Sequence, residues 1–254
     1  MYQANPEFEQ PNENERVWRY MDFTKLVSLL HSRTLYFSRA DKFDDPFEGS
    51  YPAKNVSRYR DYHESLNLPP DVHRDLVPLL NDGMSTFVRR CRKWTALNCW
   101  HLSDYESAAM WRLYLKGSDG IAIMSSYGRL RNSFKNTSEQ IYIGKVRYID
   151  YQRDSIDGTS IFSPFLYKRN SFTHEREVRA LISKLPIRDG GLDFAQESIE
   201  DGINIDVDLS LLVETIYVVP YAPKWVHNAV KSVVERYGCT FEVRQSDIEH
   251  DPLY

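Results

Sequence analysis

The sequence predicts an α+β fold: a single domain with a mixed, mostly antiparallel sheet core, a helical insertion and a C-terminal β-α-β unit. Three observations lead to this fold class. Short strand patterns and helix patterns follow one another without the regular alternation of a doubly wound fold. Residues 54–93 carry helical patterning that a double proline interrupts, and the tail of the chain alternates strand, helix and strand. No internal repeat is evident, and 254 residues suit one large domain.

The domain is predicted over residues 16–254, after a polar and acidic stretch, residues 1–15, that predicts a flexible N-terminal arm. The first strand is predicted at Arg16–Met21. An amphipathic helix with Asp22 as its N-cap follows, because apolar residues recur there at helical spacing. A second strand at Thr34–Ser38 leads into the turn-rich loop "RADKFDDPFEGSYP".

The helical insertion divides at the double proline into two helices. Beyond it, alternating and apolar runs predict four strands, at Thr95–Ser103, Gly120–Ser126, Gly144–Tyr151 and His174–Ser183. Between the first two of these strands, "DYESAAMWRLYL" predicts a helix whose N-cap is Asp104.

The C-terminal unit is predicted from three consecutive segments, "VETIYVVP", "APKWVHNAVKSVVERYG" and "TFEVRQSD". The middle segment places Val226, Val230 and Val234 on one helical face, which predicts that this face is buried. Pro223 near its start and Gly238 at its end are typical of the two ends of a helix.

The composition argues against several functional classes. A formal charge of -4 and a pI near 6.0 give no general attraction to nucleic acid or membrane. The three cysteines form no CxxC pair and no histidine stands at metal-finger spacing, so neither a metal site nor a disulfide framework is expected. Reduced thiols, no secretion signal and no apolar run of membrane-spanning length predict a cytoplasmic protein. The common nucleotide-binding, hydrolase and zinc-protease motifs are absent from the sequence.

The stretch "HEREVRALIS" is the most informative part of the chain. If it is a strand, Glu175, Glu177 and Arg179 share one face and the apolar residues share the other. Neighbouring side chains on one face stand about 7 Å apart, so the two carboxylates can hold a cation, orient a sugar hydroxyl or stabilise positive charge in a cleft. The alternative is an exposed sheet face with surface ion pairs of little energetic value.

Three other segments carry polar residues with a structural and a chemical interpretation. In "KFDDPFEG", Asp44, Asp45 and Glu48 surround a proline, which favours a purely structural turn. In "CWHLSD", His101 and Ser103 lie at a predicted helix start, which is either a plain cap or an anion site. The basic cluster "VRRCRKW" is either a solvated helix face or a contact for phosphate or nucleic acid.

Taken together, three long segments resemble the bacterial domain-of-unknown-function 2971 family. These segments are "WRYMDFTKLVSLLHSRTLYFSRADKFDDPFEG", "NCWHLSDYESAAMWRLYLKGSDGIAI" and "YKRNSFTHEREVRALI". Their DPFE and ExExR pieces carry most of the resemblance, which covers the chain from Arg16 to about Tyr221. The sequence departs from the family pattern at Asp44, where asparagine is usual, and in "CWHLS", where the pattern is shorter.

The layout is also similar to that of ADP-ribosyltransferases, which carry a basic residue on an early strand and an ExE motif on a late one. This resemblance implies that Glu177 is the catalytic carboxylate and that Glu175 ahead of it positions the acceptor. It implies that Arg19 binds the pyrophosphate of NAD. The Ser or Tyr that such enzymes place on a middle strand corresponds to Ser103 or Tyr114.

Further residues complete the expected NAD site. Rings that stack on nicotinamide or adenine are expected from Tyr20, Tyr36 or Phe37, while Trp111 is expected in the core. Arg179 is expected to bind beside the two acids and to counter their repulsion.

The resemblance implies an NAD-consuming transferase or glycohydrolase, by analogy part of a toxin or phage-defence system. NAD would be a substrate, and the acceptor a protein or a nucleic acid. Two alternatives stay open. One is a metal-dependent nuclease that uses Asp45 with Glu175 or Glu177; the other is a non-catalytic module for a nucleotide or a protein, which would present an open, solvated face around Glu177.

Overall fold

The computed structural model describes residues 1–114, 119–158, 160–188, 191–193 and 195–249. The strands within these residues are β1 (Arg16–Asp22), β2 (Thr34–Arg39), β3 (Thr95–Leu102), β4 (Gly120–Ser126), β5 (Tyr142–Lys145), β6 (Arg147–Ile149), β7 (Tyr167–Arg169), β8 (Glu177–Ser183), β9 (Ile187–Arg188), β10 (Gly191–Leu192), β11 (Gly202–Asp206), β12 (Thr215–Val218) and β13 (Glu242–Gln245). The α-helices are α1 (Phe23–Ser32), α2 (Ala53–Glu64), α3 (Pro70–Lys93), α4 (Ala108–Tyr114), α5 (Tyr127–Ser133), α6 (Leu209–Leu212) and α7 (Lys224–Arg236).

Nine strands form one sheet. Its main path has the order β11-β2-β3-β1-β4-β12-β13, and β8 pairs with both β3 and β5. The paired strands of this sheet are antiparallel except β12 and β13, which run parallel and are connected by α7. The predicted α+β fold class and the C-terminal β-α-β unit are therefore confirmed. Helices α2 and α3 form the predicted helical insertion between β2 and β3.

The sheet forks at β3. Near the start of this strand, Ala96 and Leu97 pair with β2, whereas near its end His101 and Leu102 pair with β1. Residues 98–100 pair with neither neighbour, while the other edge of β3 pairs with β8 along almost its whole length. An opening is therefore left between β1 and β2, with the middle of β3 as its base.

Apolar residues from helices and central strands pack around this fork. Leu26 and Leu30 of α1 and Val230 of α7 belong to the largest apolar cluster, as the helical spacing in the sequence predicts. The predicted N-cap of α1 is confirmed, because the Asp22 carboxylate accepts a hydrogen bond from the Lys25 amide at 2.8 Å. The start of α1 thus fixes the end of β1 beside the opening.

The helix predicted from Asp104 begins later than the sequence indicates. Helix α4 starts at Ala108, and the Ser107 hydroxyl oxygen accepts a hydrogen bond from the Met110 amide. A second polar residue within one turn of Asp104 therefore takes the capping role, which the sequence pattern does not distinguish. The last residue of the predicted helix, Leu115, lies outside the described residues.

The strand predicted at Gly144–Tyr151 is divided. Strand β5 ends at Lys145 and β6 begins at Arg147, while Val146 between them still donates its amide to the Glu177 carbonyl of β8 at 2.8 Å. Strand β6 then pairs with β7 in a separate two-stranded sheet. The alternation of residue types continues through this break, so the sequence cannot indicate it.

The N-terminal segment runs along the sheet. The Gln3 amide donates to the Ile141 carbonyl at 2.8 Å, and Phe8 is buried against Tyr142 with ring centroids 6.2 Å apart. The flexibility of residues 1–15 stays a prediction. Among the helices of the described residues, none combines the length and the apolar character needed to cross a lipid bilayer.

Candidate active site

A cavity of about 470 Å³ occupies the opening between β1 and β2. Its walls come from β1, β2, β3, α1, α4 and the start of β8. The polar or ionisable residues that line it are Arg19, Tyr20, Lys25, Ser28, Thr34, Tyr36, Ser38, Cys99, His101, Tyr114, Glu175, Glu177 and Asn204. Its size falls within the range of small-molecule sites, about 300–1,000 Å³.

One wall presents the guanidinium of Arg19. Its Nη1 donates to the Cys99 carbonyl at 2.7 Å, across the unpaired middle of β3, and the guanidinium carbon lies 5.9 Å from the ring centroid of Trp100. No ion pair within the described part of the chain involves Arg19. Burial lowers the pKa of Arg19, but an arginine remains charged at physiological pH. The wall therefore carries a positive charge without a carboxylate partner.

The opposite wall presents Glu177, the first residue of β8, whose side chain is only 7% exposed. Its Oε1 accepts from Lys168 Nζ at 2.8 Å, and its Oε2 accepts from Arg179 Nε at 2.6 Å. Burial alone would raise the pKa of Glu177, but Arg179 and Lys168 hold it well below its usual range. Glu177 is therefore an ionised carboxylate at neutral pH.

Arg179 links this wall to the DPFE loop. Its side chain is completely buried and binds Glu48 through two hydrogen bonds, of 2.7 and 2.8 Å. A third bond, of 2.8 Å, goes to the Phe165 carbonyl. In the same loop, Asp45 pairs with Arg169 at 2.8 Å. The loop that the sequence predicts as a structural turn thus provides a buried counter-ion for Arg179.

Glu175 lies beside Glu177 but does not belong to a strand. The segment Asn170–Glu175 is a 3-10 helix, and Arg176 has a left-handed backbone with φ of 40°. The prediction that His174–Ser183 is continuous strand is therefore wrong for its first three residues. The two acids still meet, because Lys168 contacts both carboxylates.

Five charged groups, three carboxylates and two cations, form one cluster. Glu48, Glu177, Lys168 and Arg179 are buried, and Glu175 is half-buried. With every group ionised, the cluster carries one uncompensated negative charge. Burial, together with the neighbouring Glu177, raises the pKa of Glu175 to about 8. Protonation of Glu175 at neutral pH therefore balances the cluster.

Replacing Glu175 with glutamine is expected to change how stability depends on pH. The pKa of Glu175 rises from 4.5 to about 8 in the fold. Its contribution to stability is therefore fully present below about pH 4.5 and is lost as the pH rises through about 8. Glutamine is close in shape to protonated glutamate and stays uncharged at every pH. The stability of the variant should therefore rise relative to that of the parent as the pH increases from about 5 to 8. Urea unfolding at both pH values measures this difference, and parallel pH profiles would contradict it.

His101 contributes a hydrogen-bond acceptor to the cavity. Its Nδ1 lies 2.6 Å from the Glu175 carbonyl oxygen, which can only accept, so Nδ1 carries the ring proton. Burial lowers the pKa of His101, which keeps the imidazole neutral. Its Nε2 therefore offers a lone pair, which is the state that a general base requires.

Aromatic rings form the floor of the cavity near Arg19. Tyr20 and Tyr114 stack with ring centroids 6.4 Å apart at 20°, and Trp111 meets Tyr20 edge to face at 5.0 Å. Burial raises the pKa of Tyr114 to about 12, so its hydroxyl remains a hydrogen-bond donor at neutral pH. Tyr36, 45% exposed, lies at the mouth and is available for stacking.

The structure brings together five of the eight predicted site residues. Cavity-lining residues among them are Arg19, Tyr20, Tyr114, Glu175 and Glu177.

The other three predicted residues do not line the cavity. Ser103 lies in the turn after β3, where its hydroxyl oxygen accepts from the Tyr105 amide. Phe37 is fully buried and packs against Phe134 in the core, because it faces away from the cavity on β2. Arg179 lies behind Glu177 and supports it.

Lys168 and Glu48 belong to the charged cluster around Glu177, and the sequence does not reveal that they are buried there. Lys168 lies in "YKRNSF", which resembles the family segment, but nothing in this segment predicts that the lysine is buried. Glu48 carries the signal of the DPFE motif, yet its partner Arg179 is 131 residues away. A pairing at that separation cannot be inferred from one sequence.

Two other chemistries find little support in these residues. No group of three or more histidine, cysteine, aspartate or glutamate side chains in the described ranges is arranged to hold a metal ion. Asp45 pairs with Arg169 and is not among the residues of the cavity wall. Burial raises the pKa of the Cys99 thiol, which disfavours the nucleophilic thiolate.

The comparisons with known proteins found similar structures but no similar sequence. No protein-family model matches the sequence, and no curated protein matches it. The resemblance to the domain-of-unknown-function 2971 family is therefore one of sequence segments only.

Three solved structures of DarT from Thermus sp. 2.9 are similar in fold to this chain. They are complexes with NAD+, with ADP-ribosylated single-stranded DNA and with carba-NAD+. Their sequence identities are 8%, 9% and 7%, and the TM-scores are 0.43, 0.42 and 0.40. The matches cover 95%, 96% and 93% of this chain and 100%, 99% and 96% of the DarT chains.

Proposed function

We propose that this chain binds NAD in the cavity and cleaves the bond between nicotinamide and ribose. The ADP-ribosyl group then passes to water or to a protein or nucleic-acid acceptor. One observation carries the proposal: an ionised carboxylate lines the same cavity as an arginine that has no carboxylate partner among the described residues. Such a site is complementary to a substrate that is anionic at one end and develops positive charge at the other.

Arg19 is the group that binds the pyrophosphate. A guanidinium presents paired donors that match two phosphate oxygens, and only one of its nitrogens, Nη1, is used by the Cys99 carbonyl. Arg19 is half-buried, and its partial removal from water strengthens this attraction. Tyr36 and Tyr114 provide ring faces for the base or the nicotinamide.

Glu177 stabilises the charge that develops on the ribose. When the bond from the ribose C1′ to the nicotinamide nitrogen breaks, nicotinamide leaves with the bonding pair and C1′ becomes positive. A carboxylate that accepts a hydrogen bond from the ribose 2′-hydroxyl disperses this charge. Lys168 and Arg179 each donate to one oxygen of Glu177, and Glu175 shares a hydrogen bond with the same carboxylate, so the substrate hydroxyl competes with Glu175 for the remaining lone pairs.

Glu175 and His101 act on the acceptor. The acceptor oxygen or nitrogen forms the new bond to C1′ and must lose a proton. Burial and Glu177 raise the pKa of Glu175 to about 8, and its side chain shares a hydrogen bond with Glu177. A substrate hydroxyl that takes this place on Glu177 frees the Glu175 proton to orient the acceptor. His101 Nε2 has the lone pair that takes the released proton.

The two alternatives are less well supported. The nuclease requires Asp45 beside Glu175 or Glu177, but Asp45 is paired with Arg169 instead. The binding module requires an open, solvated face around Glu177, but this residue is buried in the wall of the cavity.

Incubation of the purified chain with NAD should release free nicotinamide, which chromatography detects. In this assay Arg19→Met is expected to raise KM for NAD by about 10- to 100-fold with a smaller change in kcat, because a hydrogen bond to a charged group contributes about 1.5–3 kcal/mol. Arg16→Met is the control, since Arg16 lies on the same strand but outside this cavity and binds the Asp104 carbonyl. No nicotinamide release from the parent chain, or equal effects of the two substitutions, would contradict the proposal.

A further inference from the structure

A second cavity, of about 260 Å³, lies in the helical insertion. Residues of α2, of α3 and of the loop between β2 and α2 line it, and none of them lines the first cavity. The proposed NAD chemistry uses none of these residues. The cavity can therefore be considered independently of the proposed function.

Three arginines line this second cavity, and no acidic residue does: they are Arg60, Arg89 and Arg92. The ion pairs of the described residues include neither Arg60 nor Arg89. The local charge is unusual for this chain, because the whole protein carries a formal charge of -4. Three guanidinium groups around one concave site attract an anion.

Arg92 has donors that the protein leaves unused. Its Nη1 donates to the Pro46 carbonyl at 3.2 Å, and its Nε has no hydrogen-bond partner among the described residues but is shielded from solvent. The accessible end of the guanidinium can therefore donate to a bound anion, whereas Nε can do so only if the side chain moves.

Aromatic rings line the same cavity. Tyr51 and Tyr59 meet edge to face with ring centroids 6.1 Å apart, and both contribute to the wall. Asn81 and Ser85 on α3 add side chains that can donate and accept hydrogen bonds. Tyrosine faces beside arginines are typical of sites that stack a base while binding its phosphate.

We infer that this cavity binds a nucleotide, with its phosphate on the three arginines and its base against the two tyrosines. At about 260 Å³ the second cavity is smaller than the first and lies just below the usual range of small-molecule sites, about 300–1,000 Å³, so part of a bound nucleotide would project from it. The same chemistry is offered by a free mononucleotide and by one unit of a single-stranded nucleic acid. The basic cluster "VRRCRKW", which contributes Arg89 and Arg92, is then a ligand site rather than a solvated helix face.

The test measures binding of two probes to the full chain: AMP by calorimetry and a fluorescent single-stranded oligothymidylate by anisotropy. Arg89→Glu is expected to weaken binding by at least about tenfold, since it removes a charge-assisted contact and adds repulsion. Arg74→Glu is the matched control, because Arg74 lies on the same helix, pairs with Asp75 outside the second cavity, and its substitution changes the net charge equally. If AMP binds as tightly as the oligonucleotide, the ligand is a free nucleotide; tighter oligonucleotide binding assigns it to a nucleic acid.

Arg19→Met separates the two cavities. Binding at the second cavity should persist in this variant, and Arg89→Glu should leave the release of nicotinamide from NAD unchanged. Three results would overturn the inference: no binding of either probe at millimolar concentration, equal weakening by Arg89→Glu and Arg74→Glu, or binding that Arg19→Met removes and Arg89→Glu preserves. None of these results depends on whether the chain cleaves NAD.

Discussion

Replacing Arg179 with methionine is expected to lower the free energy of unfolding by about 3–5 kcal/mol. Arg179 is completely buried and binds Glu48 through two hydrogen bonds and Glu177 through a third. Methionine has a similar length but no charge, so both carboxylates would lose their main buried cation. Desolvated charges without a partner are strongly destabilising, and Lys168 alone cannot balance the three carboxylates that it contacts. Urea unfolding at neutral pH measures the change.

Two further variants test the cause of this loss. Lys184→Met removes the exposed ion pair with Glu139 and should change the free energy of unfolding by less than about 1 kcal/mol. Adding Glu48→Leu to Arg179→Met removes one of the unpaired carboxylates and should recover part of the lost stability. If Arg179→Met and Lys184→Met have the same small effect, the cluster does not carry the energetic role assigned to it.

Glu177→Gln is expected to lower kcat for the release of nicotinamide by about 10²–10³-fold while KM changes little. The substitution keeps the shape of the side chain and removes the negative charge that faces the developing oxocarbenium ion. An amide can still contact the substrate in its ground state, so the loss should appear mainly in the transition state. Steady-state rates at several NAD concentrations separate the two parameters.

Glu48→Gln is the matched control for this prediction. Glu48 is as buried as Glu177 and binds the same arginine, but it does not line the cavity. Its substitution should lower the free energy of unfolding while kcat falls far less than in Glu177→Gln. Equal losses of kcat in the two variants would mean that Glu177 supports the fold instead of acting on the substrate.

The general fold could be predicted because its signals are local. The spacing of apolar residues in α1 and α7 and the N-cap Asp22 depend on neighbours within a few positions, and the structure confirms them. Predictions are less accurate where several residues compete for one local role. Ser107 replaces Asp104 at the start of α4, and the 3-10 helix that ends at Glu175 replaces the first part of a predicted strand.

The candidate site was predictable only in part, for a physical reason. Residue types indicate that Glu175, Glu177 and Arg19 can serve NAD chemistry, and the cavity brings them together. The fork of the sheet that creates this cavity depends on which strands pair with β3, and no local pattern encodes that choice. The burial of Lys168 could not be predicted for the same reason, because it depends on residues that are distant in the sequence. The sequence also could not distinguish Phe37, which packs against Phe134 in the core, from a ring that stacks on a ligand.

The most direct measurement is a crystal structure of this chain with a non-hydrolysable NAD analogue. Arg19 and Glu177 should contact the same bound molecule: the guanidinium at hydrogen-bond distance from the pyrophosphate, and the carboxylate beside the 2′-hydroxyl of the nicotinamide ribose. An analogue that binds outside the cavity, or that contacts neither side chain, would contradict the proposed NAD site.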